Sequence, residues 1–218
     1  MSSIPQYLVR DISLASSGNE KIEWAYKNMP VLRAIEKELI SEKPFAGLKI
    51  AVSVHVEAKT ACLAKVLRSG GAEVALTGCN PLSTQDDVAA ALADEGMHVY
   101  CIHGADSSEY REHLSMALSI NPDIVIDDGG DFAMLLHTTH KHLLPKLIGG
   151  CEETTTGVHR LQILEAENRL AYPVIAVNDA RCKHLFDNRF GTGQSVWTAI
   201  MPSMALRTAV WPARKDSS

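Results

Sequence analysis

Short β-rich runs alternate with helix-like stretches along most of this chain, and that alternation limits the fold more than any other feature. The runs are apolar on both faces, which is typical of strands in a parallel sheet covered by helices on both sides. We therefore predict an α/β fold with a parallel sheet of five or more strands, doubly wound and Rossmann-like, with right-handed crossovers. The predicted strands are Leu48–Val54, Glu73–Thr77, His98–Ile102, Asp123–Ile126 and Pro173–Val177.

The predicted helices lie before the first of these strands and between the others. A helical pattern over 19–42 is interrupted at Asn28-Met29-Pro30, because proline disfavours continuation of a helix. From about Met201 the periodicity weakens and two prolines occur, so we expect a loose or disordered segment over 201–218. The other predicted helices are Ala58–Ser69, Thr84–Asp94, Ser107–Ser119, Phe132–His142 and Val158–Leu170.

Composition excludes several classes of partner. The 218 residues carry a net charge of -5, which gives no support for nucleic-acid binding. An apolar run of about 18 residues is absent from the sequence, so we expect no membrane partner. The N-terminus lacks a secretory signal pattern, and five scattered cysteines without a C-x-x-C motif indicate reduced thiols. We therefore expect a cytoplasmic protein.

Polar side chains follow the predicted strands, at the edge of the sheet where α/β proteins bind ligands. His55 follows the first strand, where an imidazole can serve as an acid or a base, and Glu57 and Lys59 add an acceptor and a donor beside it. The same residues also fit a helix start with an acidic first turn, and spacing alone does not separate these interpretations. For Asp128 we favour acid–base chemistry, and for Asp131 a helix cap.

Two further polar clusters have both a binding and a structural interpretation. Thr154-Thr155-Thr156 suits hydrogen bonding to a ligand, which we favour, although it also suits a capping turn. Lys183 and Asp187 are four residues apart and share one helix face. Near a ligand they would polarise a hydroxyl group together, but a surface ion pair is the more common case for this spacing.

Two other patterns are weaker than they look. The histidines of His137–His142 lack acids or cysteines at ligand spacing, so we interpret them as a solvated helix surface and predict no metal site. Gly191–Val196 imitates the dinucleotide-binding glycine fingerprint but lacks its third glycine and a strong preceding strand. We reject it as such a fingerprint.

An ordered set of motifs gives the chain a specific resemblance. It resembles the N-terminal, substrate-binding part of the S-adenosyl-L-homocysteine hydrolase (adenosylhomocysteinase) family, in the branch found in archaea and some thermophilic bacteria. The similarity runs from about Val9 to Ile200, which implies a substrate-binding domain over 1–200 and an unmatched tail over 201–218. The motifs are Asn80–Leu92, Asp127–Asp131, Glu152–His159, Val177–Asp179, Lys183, Phe186–Asn188 and Gly191–Ser195.

The resemblance implies an NAD-dependent, redox-neutral hydrolysis of S-adenosylhomocysteine or S-inosylhomocysteine to adenosine or inosine and homocysteine. NAD oxidises the ribose 3′-hydroxyl, the C4′ proton is removed, homocysteine leaves, water adds and the ketone is reduced again. The family continues into an NAD-binding domain beyond the last matched residue. The resemblance therefore implies that this chain works as a homo-oligomer or with a complementing chain, and that alone it is an inactive or nucleoside-binding fragment.

The resemblance also assigns roles to individual residues. Lys183 and Asp187 contact the 3′-hydroxyl and assist its deprotonation, and His55 and Asp128 handle proton transfer near C4′ and C5′. The residues that bind substrate are Glu57, Lys59, Thr60, Glu153, Lys183 and Asp187. The residues that face the nicotinamide end of NAD are Thr154, Thr155, Thr156 and Asn188.

The sequence of this chain differs from the commoner family pattern in the segment with which the family recognises the purine base. The sequence after the histidine is Val56-Glu57-Ala58-Lys59-Thr60, so that Lys59, which only donates, replaces an acceptor. Glu57 accepting from N1–H and Lys59 donating to O6 of hypoxanthine would favour S-inosylhomocysteine. The same pair could accept from the amine of adenine and donate to its N1, so both substrates stay open.

Overall fold

The computed structural model describes residues 5–209, and the chain forms two compact units, Met1–Ala176 and Val177–Ser218. The strands of the first unit are β1 (Tyr7–Leu8), β2 (Lys49–Ser53), β3 (Glu73–Thr77), β4 (His98–Tyr100), β5 (Ile124–Asp127), β6 (Gly149–Glu152) and β7 (Val174–Ala176). Its helices are α1 (Ala15–Lys27), α2 (Pro30–Glu42), α3 (Ala58–Ser69), α4 (Asp86–Asp94), α5 (Ser107–Leu118), α6 (Asp131–His137) and α7 (Thr155–Ala166).

All the strands belong to one parallel sheet, in the order β1-β4-β3-β2-β5-β6-β7. The predicted parallel α/β fold is confirmed. From β2 the chain builds outward through β3 and β4, and α5 then returns it to β5 on the other side of β2. The strand order thus reverses between β2 and β5. Such a reversal leaves a crevice at the carboxyl ends of the two strands, because the connections on either side lead away from it.

The side chains of β2 point alternately to the two faces of the sheet, and both faces are covered by helices. Ile50 and Val52 belong to the core on the side of α1, α3 and α4, while Ala51 belongs to the core formed with α5 and α6. All three side chains are at most 1% exposed. Since successive side chains of a strand point to opposite faces, an uninterrupted apolar run is what a central strand of this kind requires.

The sequence prediction missed two strands and displaced several helix boundaries. The edge strand β1 has only two residues, and β6 reads Gly-Gly-Cys-Glu, which has little intrinsic strand propensity. The helix predicted over Phe132–His142 ends at His137, where a separate 3-10 turn at Lys141–Leu143 follows. The interruption predicted at Pro30 is confirmed, because α1 ends at Lys27 and α2 begins with the proline.

The second unit is helical. It contains a 3-10 turn at Val177–Asp179, a π-helix at Lys183–Gly191 and α8 at Thr192–Ala209. Gly191 and Gly193 thus lie where one helix passes directly into another, which is not the strand-to-helix turn of a dinucleotide fingerprint. Helix α8 continues into the segment that we expected to be loose, and residues 210–218 lie outside the described part.

None of the helices within 5–209 is both long enough and apolar enough to cross a membrane.

Close packing of α1 on α4 gives a first prediction. A Cβ atom at Gly18 would lie 1.9 Å from the backbone oxygen of Asp87 and 2.9 Å from the Cβ of Ala91. We expect Gly18→Ala to lower the free energy of unfolding by about 1–3 kcal/mol, although alanine is the better helix former, because the backbone of α4 has to move. Urea unfolding measures this change.

The control is Ser16→Ala, an exposed position of the same helix, which should change stability by no more than about 0.5 kcal/mol. A Gly18→Ala protein as stable as the control would contradict the close contact between α1 and α4.

Candidate functional site

His55 follows β2, in the connection to α3 at the point where the strand order reverses. Its Nδ1 lies 2.6 Å from the Oγ of Ser83, and the Ser83 hydroxyl is 2.9 Å from the carbonyl oxygen of Asn80. A hydroxyl has a single proton, and the carbonyl can only accept it, so Ser83 donates to Asn80 and accepts from Nδ1–H of His55. This arrangement directs Nε2 of the imidazole towards the crevice, with its lone pair available in the neutral ring.

Asp128 comes directly after β5 and meets His55 across the crevice. Nε2 of His55 lies 3.7 Å from Oδ2 of Asp128, and the thiol of Cys79, after β3, donates to the same oxygen at 3.3 Å. The Asp128 side chain is only 7% exposed, whereas that of His55 is 48% exposed. Burial, together with the neighbouring Asp128 charge, raises the pKa of the Cys79 thiol, so the thiol keeps its proton.

The carboxylate of Glu152, at the end of β6, organises the loops that follow β5 and β6. Its Oε1 accepts from the backbone N–H of Gly129, and from both the N–H and the hydroxyl of Thr154, each at 2.9 Å. The side chain is fully buried, and Oε2 has no hydrogen-bond partner within the part of the chain that the structure describes. One buried oxygen therefore fixes the turn beside Asp128 and the start of α7.

Gly157 allows α7 to approach this carboxylate. A Cβ atom at that position would lie 2.1 Å from Cδ of Glu152 and 2.2 Å from Oε1. The N–H of Gly157 also donates to the hydroxyl of Thr154, which caps the helix. Thr154 is therefore a capping residue, and its role in binding a ligand stays a prediction, because a hydroxyl oxygen can accept a second hydrogen bond.

Asp127 is a second buried acid beside Glu152, its neighbour in the register of β5 and β6. Its two oxygens accept from the backbone N–H groups of Asp128 and Ala133. Burial raises the pKa of Asp127 to about 8, and the charge of Glu152 adds to the shift, although both backbone donors favour the ionised form.

Asp131 does not cap α6 as we expected. The cap position belongs to Gly130, in the left-handed region at φ 79°, and Asp131 is the first residue of the helix. Its carboxylate accepts from Tyr110 at 2.8 Å and forms an ion pair with Arg160 at 2.9 Å. The physical reason is that the left-handed turn directs this side chain away from the helix N–H groups and towards α5 and α7.

Glu57 and Lys59 lie at the start of α3, in the same connection as His55. Glu57 is the helix cap, with Oε1 accepting from the N–H of Thr60 at 3.3 Å. A carboxylate has a second oxygen, so this cap leaves acceptor capacity for a ligand. Lys59 is exposed, and Thr60 is buried at 7% exposure.

The remaining predicted residues of the first unit lie at the start of α7. The N–H of Glu153 donates to the carbonyl oxygen of Asp127 at 3.0 Å, which extends the pairing of β5 and β6 by one residue. Thr155 and Thr156 occupy the first turn of the helix and are exposed. Their hydroxyls are thus presented at the carboxyl edge of the sheet, where ligands of α/β proteins bind.

Three predicted residues belong to the second unit. Lys183 begins the π-helix, and its ammonium donates to Oδ1 of Asn178 at 2.9 Å. Asp187 and Asn188 lie in the same helix and are exposed. The roles of these three residues stay predictions.

Cys79, Ser83 and Glu152 were not assigned roles from the sequence. Cys79 follows a predicted strand, and this position at the carboxyl edge of the sheet was the signal that could have identified it as a site residue. Glu152 appeared only as the first residue of the motif Glu152–His159, and no signal in the sequence showed that it, and not the adjacent Glu153, is the buried acid. His137 was predicted to be solvated but is 7% exposed, and its nitrogens bond to the carbonyl of Ala133 and the N–H of Ala171.

Comparison with known proteins finds similarity over most of this chain. The family model for S-adenosyl-L-homocysteine hydrolase matches the chain over residues 6–146 and 138–212. An S-inosyl-L-homocysteine hydrolase of Methanocaldococcus jannaschii is 56% identical over 203 residues, 93% of this chain and 49% of that protein. An adenosylhomocysteinase of Pyrococcus abyssi is 53% identical, over 93% of this chain and 48% of that protein. The chain spans about half the length of these curated relatives.

The bonds to Glu152 generate a second prediction. Glu152→Ala leaves two backbone N–H groups and one hydroxyl without their acceptor, so we expect it to lower the free energy of unfolding by about 2–4 kcal/mol. Glu152→Gln retains an oxygen in that place and should lose clearly less. Urea unfolding of the two variants measures the difference, and equal losses would show that the accepted hydrogen bonds do not matter.

The raised pKa of Asp127 generates a third prediction. Below about pH 4 the carboxyl is protonated in both the folded and the unfolded chain, and above about pH 8 it is ionised in both. In between, only the unfolded chain releases the proton, so the stability of the native protein falls as pH rises through this window.

Asp127→Asn removes this proton and should therefore show a flatter dependence of unfolding free energy on pH. The measurement is urea unfolding of both proteins at several pH values between 4 and 8, in a buffer that contains a chelator. Parallel pH profiles would contradict the assignment of this proton to Asp127.

Proposed function

Since the chain belongs to the S-adenosyl-L-homocysteine hydrolase family, we propose that it is the substrate-binding part of an enzyme that hydrolyses a nucleosyl-homocysteine thioether. The products would be homocysteine and adenosine or inosine. The single observation that supports this proposal most is the meeting of the His55 imidazole and the Asp128 carboxylate in the crevice where the strand order reverses.

The His55–Asp128 pair is suited to holding and moving a proton. Nδ1–H of His55 is engaged by Ser83, so proton exchange takes place at Nε2, 3.7 Å from the carboxylate. The exposed side of the imidazole ring is open to substrate and water. We assign to this pair the protonation of the departing homocysteine sulfur and the later removal of a proton from water.

NAD is the cofactor that the family implies. The hydroxyl groups at the start of α7 are of a chemical type that can bind it. Thr155 and Thr156 present exposed hydroxyls, which can both donate to and accept from a carboxamide such as that of nicotinamide. When bound, NAD supplies reversible hydride transfer. In this proposal Thr154, Thr155, Thr156 and Asn188 face the nicotinamide end, and Thr154 also orients the turn through its bond to Glu152.

The ribose is proposed to be held by carboxylates and an ammonium group. Glu153 lies at the carboxyl edge of the sheet, next to Glu152, and a carboxylate accepts readily from neighbouring hydroxyls of a sugar. Lys183 and Asp187 would bind the 3′-hydroxyl and assist its deprotonation. The ammonium of Lys183 already donates to the side-chain oxygen of Asn178, which limits the directions available to it.

Glu57 and Lys59 are proposed to read the purine base, and we favour hypoxanthine. The cap on α3 fixes the Glu57 carboxylate, so it is presented in one orientation as an acceptor for N1–H. Lys59 then donates to O6. A relative from Methanocaldococcus jannaschii is named an S-inosyl-L-homocysteine hydrolase and one from Pyrococcus abyssi an adenosylhomocysteinase, so the choice rests on these two side chains.

The chain spans about half the length of its curated relatives, and we propose that a second half like theirs, supplied within a homo-oligomer or by a complementing chain, completes the enzyme. That half would hold most of the NAD. The first experiment is calorimetric titration of the 218-residue chain with inosine and with adenosine, each in the presence and absence of NAD. Saturable binding would support a preformed nucleoside site, and no binding to the folded chain would contradict it.

The proposed base recognition gives a fourth prediction. Lys59→Gln replaces a group that only donates with an amide that also accepts, so it should reduce the ratio of inosine to adenosine affinity. The loss of one charged hydrogen bond corresponds to a reduction of roughly tenfold. Lys37→Gln on α2, another exposed lysine, serves as the control and should leave the ratio unchanged. An unchanged ratio in Lys59→Gln would show that Lys59 does not read the base.

A further inference from the structure

Three side chains of different chemistry converge in the crevice at the distances of a metal site. A ring nitrogen of His55, Sγ of Cys79 and a carboxylate oxygen of Asp128 all lie within 4.8 Å of one another. The distance from Sγ of Cys79 to Oδ2 of Asp128 is 3.3 Å, and the distance from Nε2 of His55 to the same oxygen is 3.7 Å. In a tetrahedral zinc site, bonds of about 2.0–2.3 Å place neighbouring donor atoms about 3.3–3.8 Å apart.

The surroundings of these side chains resemble those of protein metal ligands. Metal-binding histidines usually donate their second N–H to a fixed acceptor, and Nδ1 of His55 does so to Ser83. Asp128 is positioned by burial and by its place directly after β5, and Cys79 by its bond to that carboxylate. The imidazole is half exposed, so a fourth ligand from solvent can reach the centre of the cluster.

We propose that His55, Cys79 and Asp128 form a binding site for a thiophilic divalent cation such as Zn²⁺, and that the bound cation inhibits the site. Imidazole and thiolate together select zinc-like ions over Mg²⁺ or Ca²⁺, which prefer oxygen ligands. One thiolate and one carboxylate also balance the two positive charges of the ion, so the occupied site is neutral although it is partly buried.

Binding involves a simple exchange. The thiol proton of Cys79 passes to solvent as the zinc–sulfur bond forms, and the three protein ligands replace all but one of the waters bound to the cation, which thereby becomes four-coordinate. No oxidation or reduction takes place. The consequence for the enzyme rests on the proposed function: Nε2 of His55 and the Asp128 carboxylate, occupied by the cation, can no longer exchange protons with a substrate.

The test uses metal ions alone with the 218-residue chain, so that its outcome does not depend on nucleoside binding or turnover. Co²⁺ reports a tetrahedral site with a thiolate ligand through visible bands and a sulfur-to-cobalt charge-transfer band in the near ultraviolet. Calorimetric titration then gives the affinity for Zn²⁺. The test variant is Cys79→Ser, which keeps a hydroxyl donor for Asp128, and the matched control is Cys182→Ser, an exposed cysteine of the second unit.

We expect the unmodified chain and the Cys182→Ser protein to show the charge-transfer band with one Co²⁺ per chain, and the Cys79→Ser protein to lack it. Zn²⁺ affinity should fall at least tenfold in Cys79→Ser and also in His55→Asn. A band that persists in Cys79→Ser, or one that disappears in Cys182→Ser, would overturn the proposal. So would a Zn²⁺ affinity that His55→Asn leaves unchanged.

A separate arm tests inhibition. In a chain that binds inosine or adenosine, saturating Zn²⁺ should weaken that binding at least tenfold, and a chelator should restore it. Nucleoside binding that is unaffected by bound Zn²⁺ would overturn the inhibitory role. Failure of nucleoside binding without metal would instead count against the proposed function, and the Co²⁺ result would still decide the metal site.

Discussion

The arrangement of the site depends on one buried carboxylate. Oε1 of Glu152 binds the loop after β5 through Gly129 and the loop after β6 through Thr154, so that the two loops keep one relative position. Because the carboxylate is fully buried, each of these bonds would be costly to lose. The position of Asp128, one residue before Gly129, and the start of α7 both follow from this contact. The same contact requires Gly157, since any larger residue would overlap with the carboxylate.

The topology of the sheet explains why residues distant in sequence form one site. Chain connections leave β2 towards one edge of the sheet and β5 towards the other, so the space above the two carboxyl ends is free of covering helices. His55 and Asp128 enter that space from opposite sides, and Cys79 joins them from β3. An imidazole, a thiol and a buried carboxylate that lie this close together are suited both to proton transfer and to binding of a thiophilic cation. These two uses exclude each other, because both require Nε2 of His55.

Apolar runs made most of the sheet predictable, and the exceptions have clear physical causes. β6 contains two glycines and has little strand propensity of its own. It is a strand because β5 and β7 pair with it on both sides. For Thr154 the structure shows a hydroxyl that caps α7 and bonds Glu152, and its role in binding a ligand stays a prediction. For Glu57 the helix start and the acceptor role were left open, and the structure shows the cap without excluding the second role.

The sequence by itself determined the parallel α/β class, the family, and the edge of the sheet at which polar residues collect. These follow from local patterns, because the alternation of apolar strands with amphipathic helices and the order of the motifs are written along the chain. Only the tertiary structure decided which of two adjacent acids is buried, that Cys79 and Ser83 join His55, and that Gly130 rather than Asp131 caps α6. Such choices depend on contacts between segments far apart in sequence, and these form only when the strands take their order in the sheet.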